Sequence, residues 1–155
     1  MIDRASIAAA AGRIAPYTRH TPVMRLDDAA CGTRVPVTLK LELLQHTGSF
    51  KPRGAFNRML TADLPPAGVI AASGGNHAAA VAYAARALGV TAEIFVPGGT
   101  PETTVASIRR YGATVVQGGD TYAEARAAAR ERQAVKGAKE VQAYDNGDVL
   151  AGQGT

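Results

Sequence analysis

Apolar and polar positions follow a regular rhythm over the second half of the chain. Short runs rich in apolar and β-branched residues are each followed by a longer segment with helical spacing. The predicted strands cover residues 68–72, 91–96, 113–117 and 139–143, and the predicted helices between them begin near residues 76, 101 and 121. Strands that alternate with helices of this length predict an α/β fold, with a parallel sheet and right-handed crossovers.

The first part of the chain has a looser pattern. The pattern predicts a helix over residues 2–14, an extended segment over 21–26, a helical turn ending at Gly32 and a strand over 35–41. Pro16 is expected to stop the first helix, because proline cannot continue its hydrogen bonding. A polar loop at residues 45–49 then precedes a helix that Pro52 opens.

Helix starts carry further signals. Thr100 is predicted to be the N-cap of a helix with Pro101 in its first position. Thr121 and Glu124 have the spacing of a capping box for a helix that runs to about Lys136. Residues 146–150 are expected to begin one more helix, so the sequence is expected to be cut within a longer chain.

Composition places the 155-residue chain among globular proteins, with 46% apolar and 19% charged residues. The formal net charge of +4 would suit an anionic ligand or nucleic acid. However, basic residues alternate with acidic ones, as at 130–132, and no basic run or aromatic stripe accompanies them. A solvated surface is therefore favoured over a nucleic-acid site.

Cysteine and histidine positions argue against a disulfide or a metal site. Cys31 is the only cysteine, which fits a reducing compartment, and it is predicted to be an inert, partly buried thiol. His20, His46 and His77 lack metal-ligand spacing, so no metal is expected. Neither a signal peptide nor a membrane span is predicted, and a cytoplasmic location is expected.

The first candidate for chemistry is the segment Thr47-Gly-Ser-Phe-Lys-Pro-Arg-Gly54, which places Lys51 at a helix start. The positive end of the helix dipole helps to lower the pKa of such a lysine, and a neutral amine attacks an aldehyde. Phe50 offers a flat apolar face beside it. Taken alone, a lysine in a polar turn is more often a solvated surface residue.

The second candidate is Ser73-Gly-Gly-Asn-His77, between a buried strand and a helix. Glycines let a ligand approach the backbone, and free N–H groups at a helix start favour an anion such as a carboxylate. Open α/β sheets bind ligands at this edge. The alternative is a plain turn, with Asn76 as N-cap and His77 as a hydrogen-bonded helix residue, and this segment alone does not decide between them.

Together, residues 45–55 and 73–78 closely resemble the paired signatures of fold-type-II pyridoxal-phosphate enzymes, whose fold is that of the tryptophan synthase β subunit. The nearest relatives are the threonine and serine dehydratases (ammonia-lyases), with serine racemase a close cousin. Residues 81–85, 88–90 and 151–155 also look like this family. The resemblance implies that residues 1–63 begin a large cofactor domain, 64–145 form a small α/β domain and 146–155 start the return to the large domain.

The resemblance also implies roles for individual residues. Lys51 would bond covalently to pyridoxal 5'-phosphate and later take the α-proton, and Phe50 would pack on the pyridine ring. Asn76 would bind the ring hydroxyl. Ser73, Asn76 and His77, together with backbone N–H groups around Gly74, would hold the substrate carboxylate. The implied reaction is β-elimination of L-threonine or L-serine to a 2-oxo acid and ammonia, by a homo-oligomer when full length.

Departures from the family pattern leave alternatives open. The racemase cousin carries a serine, its second proton donor, at the position of Gly74, so glycine favours elimination over racemisation. Family members continue past residue 155 into a glycine-rich phosphate cup. The glycines at 98–99 and 118–119 are interpreted as turn residues and not as a substitute. A catalytically inactive fragment and a racemase-like enzyme therefore remain as alternatives.

Overall fold

The structure is a computed structural model, and it describes residues 2–26, 32 and 35–155. The α-helices in this part are α1 (Arg4–Ile14), α2 (Lys51–Thr61), α3 (Asn76–Ala87), α4 (Glu102–Arg110), α5 (Tyr122–Lys136) and α6 (Gly147–Gln153). The strands are β1 (Val23–Arg25), β2 (Thr38–Lys40), β3 (Val69–Ala72), β4 (Ala92–Val96), β5 (Thr114–Gln117) and β6 (Lys139–Glu140). Short 3₁₀ turns cover Ala15–Tyr17, Glu42–Leu44 and His46–Gly48.

The predicted parallel sheet is confirmed. Its strand order is β5-β4-β3-β6, and every neighbouring pair is parallel. Val69 of β3 stands opposite both Ala92 of β4 and Lys139 of β6. Helices connect the strands in sequence, so the second half has the βα architecture expected from the apolar rhythm.

Both faces of the parallel sheet are covered. Val69 and Ile94 point into a large apolar cluster that includes residues of α3 and α4. Ile70 and Phe95 point to the other face and pack with alanines of α5. Successive strand residues alternate between these faces, which explains why the strands are apolar throughout rather than alternating.

Helix α3 is buried, as its alanine-rich sequence predicts. Its buried apolar residues are Ala78, Ala80, Val81, Ala82, Ala84 and Ala85. Small side chains on several faces let neighbouring elements approach α3 closely. The same apolar cluster contains Phe56 and Met59 of α2, so α2 and α3 share one core. The domain boundaries expected at residues 63 and 145 stay a prediction.

The first half contains a second, two-stranded sheet. β1 and β2 pair antiparallel, with Val23 opposite Lys40. The strand predicted over residues 35–41 is confirmed only at Thr38–Lys40, and the strand predicted over 139–143 is limited to Lys139–Glu140. The thiol environment predicted for Cys31 falls outside the described residues, and so does most of the turn expected to end at Gly32.

Two helix starts differ in detail from the sequence prediction. Thr100 is not the N-cap of α4, because the helix begins at Glu102 with Pro101 as the N-cap. The Thr100 N–H instead donates to the Pro97 carbonyl in the preceding turn. At α5, the Thr121 hydroxyl accepts from the Glu124 N–H as predicted.

The return half of the predicted capping box at α5 is wrong. The Glu124 carboxylate accepts from the Asp120 N–H at 2.6 Å rather than from the N-cap residue. At α6 the helix predicted over residues 146–150 is confirmed, with the Asn146 side chain accepting from Asp148 and Val149 N–H groups. Within the described ranges, no helix has the length and apolar character needed to cross a membrane.

Candidate functional site

The two segments singled out by sequence line one cleft. Its volume is about 370 Å³, and its walls are Lys51, Ser73, Gly75, Asn76, His77, Tyr122, Ala143 and Tyr144. The cleft lies where β3 ends and α3 begins, which is the edge at which open α/β sheets bind ligands. Lys51 reaches it from α2, so the amine and the start of α3 face a common space.

Lys51 is the first residue of α2 and is largely buried, with 9% of its surface exposed. Its Nζ lies 3.5 Å from the Ala143 carbonyl oxygen. The same atom is 5.1 Å from the centre of the Phe50 ring and 4.5 Å from that of Tyr144. Burial lowers the pKa of the Lys51 amine from its ordinary value, which favours the neutral, nucleophilic form.

The loop before Lys51 is held by a glutamine. The Gln45 side-chain oxygen accepts from the N–H groups of Arg19 and His46, and its amide donates to the Arg19 carbonyl at 2.9 Å. Two residues later, Thr47 has a φ of 62°, in the left-handed region that β-branched residues seldom occupy. An unusual backbone at a functional loop persists only when its surroundings enforce it, and the Gln45 bonds provide such support.

Helix α3 begins without a side-chain cap. Gly75 is the N-cap and Asn76 the first helical residue, so the alternative in which Asn76 caps the helix is wrong. The Ser73 hydroxyl accepts from the Gly75 N–H at 3.2 Å. The first-turn N–H groups of a helix have no acceptor within the helix, and their dipoles favour an anion. This wall of the cleft is therefore suited to a carboxylate.

His77 is committed to a structural bond. Its Nε2 lies 2.8 Å from the Val141 carbonyl oxygen, and the ring is buried. Burial lowers the pKa of His77 to about 4, the Lys51 charge lowers it further and the bond to Val141 opposes the shift. The imidazole is thus neutral at pH 7, with the Nε2 hydrogen donated to Val141. Nδ1 is buried with no hydrogen-bond partner among the described residues.

Gly74 adjoins the cleft wall but faces Thr100. A Cβ at Gly74 would lie 2.9 Å from the Thr100 hydroxyl oxygen and 3.4 Å from Pro97 Cδ. A contact of 2.9 Å is shorter than packed atoms tolerate, so a side chain there would force Thr100 to move. The small residue at this position therefore matches the tight turn around it.

Sequence reasoning missed Tyr122, Ala143 and Tyr144. Tyr122 is the first residue of α5, directly after the turn that follows β5. Its position beyond the carboxyl end of a parallel strand is a signal that places it at the ligand edge. Ala143 and Tyr144 lie in the irregular segment between β6 and α6, and no local pattern marks them.

The glycine pairs outside the cleft are turn residues, as predicted. The Gly98 N–H donates to the Gly119 carbonyl at 2.7 Å, and the Gly118 N–H donates to the Val96 carbonyl at 3.1 Å. Amides used in this way are not free to bind a phosphate. In the described part of the chain, no group of three or more His, Cys, Asp or Glu side chains is arranged to hold a metal ion.

Comparison with known proteins decides the family. Residues 14–155 match the family model described as "Pyridoxal-phosphate dependent enzyme". The chain belongs to that family. It is 40% identical to an L-threonine ammonia-lyase of Geobacter sulfurreducens, over 100% of this chain and 39% of that protein. It is 42% identical to the biosynthetic L-threonine dehydratase of Mycobacterium leprae, over 99% of this chain and 37% of that protein.

Solved structures give the same fold. A bacterial threonine deaminase, from the source abbreviated T.th., superposes with a TM-score of 0.85 at 41% identity, covering 97% of this chain and 48% of that one. Maize serine racemase superposes with a TM-score of 0.89 at 35% identity, covering 97% and 46%. The chain therefore has the expected fold-type-II architecture and spans less than half the length of these relatives. Similarity of fold does not separate a deaminase from a racemase.

The donor set of the cleft fits one end of pyridoxal phosphate. The Lys51 amine suits the aldehyde, and the Asn76 amide suits the ring hydroxyl. The unpartnered His77 Nδ1 and the N–H groups at the start of α3 leave polar capacity for a ligand. The glycine amides at 98 and 118, which are engaged in turns, do not extend this fit to the phosphate.

Proposed function

We propose that this chain carries the lysine-bearing half of a pyridoxal-phosphate-dependent ammonia-lyase site for L-threonine or L-serine. The observation that carries the proposal is the shared cleft, in which the Lys51 amine faces the start of α3. Supporting observations are the lowered pKa of Lys51 and the curated relatives of about 40% identity, which are threonine dehydratases. Bound pyridoxal phosphate would supply an electron sink for the α-carbon of the amino acid.

Each residue then has a distinct task. Lys51 bonds to the cofactor and moves the α-proton, for which its buried amine must cycle between neutral and charged forms. Phe50, adjacent to Lys51, packs on the ring of the cofactor. Asn76 binds the ring hydroxyl. The overall reaction removes the α-proton and the β-hydroxyl, and water then releases the 2-oxo acid and ammonia.

The substrate carboxylate binds at the start of α3. Ser73 contributes its hydroxyl, and Gly74, Asn76 and His77 contribute backbone N–H groups. The His77 ring is a poor carboxylate ligand, because its Nε2 hydrogen serves Val141 and Nδ1 offers only a lone pair. The backbone N–H of His77 is therefore the group that we assign to the substrate.

Elimination is favoured over racemisation at this site. A racemase needs a second proton donor on the opposite face of the α-carbon, and Gly74 has no side chain to provide one. The 2.9 Å separation between a Cβ at Gly74 and Thr100 Oγ1 also leaves little space for one. A serine-racemase-like activity is the second candidate, supported by the similarity to maize serine racemase. Chiral analysis of L-serine incubations separates the two activities.

The test of the cofactor assignment uses the 155-residue chain. We expect a visible absorption band after addition of pyridoxal phosphate and, after borohydride reduction, an adduct that mass spectrometry locates on Lys51. Lys51→Ala should abolish the band, whereas Lys139→Ala, in β6, should retain it. An adduct of equal strength in the Lys51→Ala variant, or spread over many lysines, would contradict the assignment.

The inactive-fragment alternative makes a separate prediction. Because Gly98 and Gly118 use their amides in turns, the cofactor phosphate lacks a glycine cup in the described residues. If the Lys51 adduct forms but no 2-oxo acid appears with L-threonine, the chain binds the cofactor without completing the reaction. A chain that produces 2-oxo acid at a steady rate excludes this alternative.

We extend the proposal to a small amino-acid substrate and, for the full-length protein, to a homo-oligomer in the cytoplasm. Exposed apolar side chains on β1, β2 and the following turn support association, and they are Val23, Met24, Leu39, Leu43 and Leu44. Sedimentation of the full-length protein tests the oligomer, and fractionation of cells tests the location. A monomer would contradict the first part, and a membrane or secreted fraction the second.

A further inference from the structure

The Lys51 amine is flanked by Tyr144, a residue to which the roles proposed above assign nothing. The Tyr144 ring centre lies 4.5 Å from Lys51 Nζ, closer than the ring of Phe50 at 5.1 Å. The carbonyl of Ala143, the preceding residue, lies 3.5 Å from the same atom. One short segment thus presents both an aromatic ring and a carbonyl oxygen to the amine.

This segment is fixed at both ends. The His77 ring bonds to the Val141 carbonyl at 2.8 Å, three residues before Tyr144. After Tyr144, the Asn146 side chain caps α6 through two bonds of 3.1 Å. Asp145 lies between them with a φ of 53°, a left-handed turn that redirects the chain. These anchors give the Tyr144 ring a defined place although 65% of the residue is exposed.

We propose that Tyr144 is a positioning residue for Lys51, whose ring and adjoining carbonyl hold the charged amine at the cleft wall until the cofactor binds. This inference rests on the proposed role of Lys51 as the cofactor lysine. The physical basis is the attraction between an ammonium and the face of an aromatic ring. It acts against burial, which favours the neutral amine. Tyr144 therefore sets both where the amine lies and how readily it loses its proton.

The other groups around Lys51 leave this task to the ring. His77 on α3 is neutral above pH 4 or so, because its pKa is about 4. Tyr122 on α5 lines the cleft but makes no described contact with Lys51 Nζ. Asp145 is exposed and does not line the cleft, and Arg53 on α2 is paired with Glu42. Among the described residues no carboxylate lines the cleft, so no ion pair there competes with the aromatic contact.

The test measures the pH dependence of acetylation of Lys51 by acetic anhydride, located by mass spectrometry, with no cofactor present. Tyr144→Leu keeps apolar cover but removes the ring face, so the apparent pKa of Lys51 should fall by about half a unit. Tyr144→Phe keeps the ring and should match the parent. Tyr122→Leu alters the same cleft away from the amine and should also match the parent.

An unchanged or raised Lys51 pKa in Tyr144→Leu overturns the inference, and so does an equal fall in Tyr122→Leu. Lys136, which is paired with Glu93 of β4, serves as the internal reference for reagent reactivity in every sample. Because Tyr144 is mostly exposed, its replacement should leave the urea unfolding midpoint unchanged. The readout does not use pyridoxal phosphate, so failure of the inference is distinct from failure of the proposed function.

Discussion

Gly152 of α6 lies directly against Gly54 of α2: a Cβ on Gly152 would sit 2.9 Å from the Gly54 Cα. A Cβ on Gly54 would in turn sit 2.9 Å from the Val149 carbonyl oxygen. Glycine permits this close approach of two backbones, since it has no side chain to separate them. Because α2 begins with Lys51, the crossing with α6 helps to fix the helix that presents the amine.

Replacement of Gly152 by alanine should disturb this crossing. The new methyl group would overlap the Arg53 carbonyl and approach Asn57 Cβ to 2.7 Å. We expect a loss of about 1–3 kcal/mol in the free energy of unfolding, typical of overpacked sites. Urea unfolding followed by circular dichroism measures it. Gly147→Ala, in the same helix with nothing within 4 Å of its Cβ, is the matched control and should not destabilise the protein. Equal midpoints for both variants would contradict the close crossing.

The buried Arg53 side chain depends on Glu42. Two bonds of 2.8 Å join the guanidinium to the carboxylate. Glu42→Gln leaves the arginine charge without its partner, so we expect a loss of about 3 kcal/mol at pH 7. Glu102→Gln removes an exposed partner of Arg109 and should cost less than about 1 kcal/mol. Chemical unfolding of both variants measures the difference, and a similar small effect would show that the Arg53 pair is not specially dependent on burial.

The same pair predicts how acid affects stability. Burial alone would raise the pKa of Glu42, but bonds from Arg53 and Thr21 and nearby positive charges hold it below the ordinary 4.5. The stabilisation is therefore complete above pH 4.5 and is lost as the pH falls through the folded pKa. Glu42→Gln should flatten the stability profile in that acid range. Glu93, whose pKa is lowered by the Arg132 bond, continues to titrate in both proteins.

His77 predicts a separate loss of stability at higher pH. The folded protein protonates this imidazole near pH 4, whereas the unfolded chain does so near 6.5. Stability is therefore complete above pH 6.5 and falls towards pH 4, by at most about 1.4 kcal/mol per pH unit. His77→Gln retains a donor for Val141 without titrating, so urea midpoints should become flatter between these values. His20→Gln, at an exposed position, should keep the parent slope.

The apolar rhythm was sufficient to predict the parallel sheet, because β3, β4 and β5 are local patterns with helices of ordinary length between them. Pairing of β1 with β2 was not predicted, since each has only three residues and the partner is set by tertiary packing. Thr100 was assigned as an N-cap from its position before a proline. The turn hydrogen bond to Pro97 overrides that local preference.

Sequence motifs identified Lys51 and the start of α3, which the structure brings into one cleft. They could not identify Tyr144, because its relation to Lys51 depends on the path of the chain between β6 and α6. The lowered pKa of Lys51 was expected from the helix dipole, whereas the structure attributes it to burial. Burial depends on tertiary packing and is therefore not readable from the local sequence.

Gly74 offers a structural test of why this site lacks a second proton donor. Gly74→Ser brings a Cβ to 2.9 Å from Thr100 Oγ1, so Thr100 must change its rotamer or the turn must open. We expect a loss of about 1–3 kcal/mol in the free energy of unfolding. In a Thr100→Ala background the obstacle is absent, and the serine should be tolerated. A double-mutant cycle should therefore give a coupling of about 1 kcal/mol between the two positions.

Gly75→Ser is the control for the effect of adding a serine to this turn. Nothing lies within 4 Å of a Cβ at Gly75, and serine is a favourable N-cap for α3, so its free energy of unfolding should stay the same or rise. If Gly74→Ser is as stable as Gly75→Ser, or if Thr100→Ala gives no relief, steric exclusion at Gly74 is wrong. The preference for elimination would then rest on the missing hydroxyl alone, and Gly74→Ser could be assayed directly for D-serine formation.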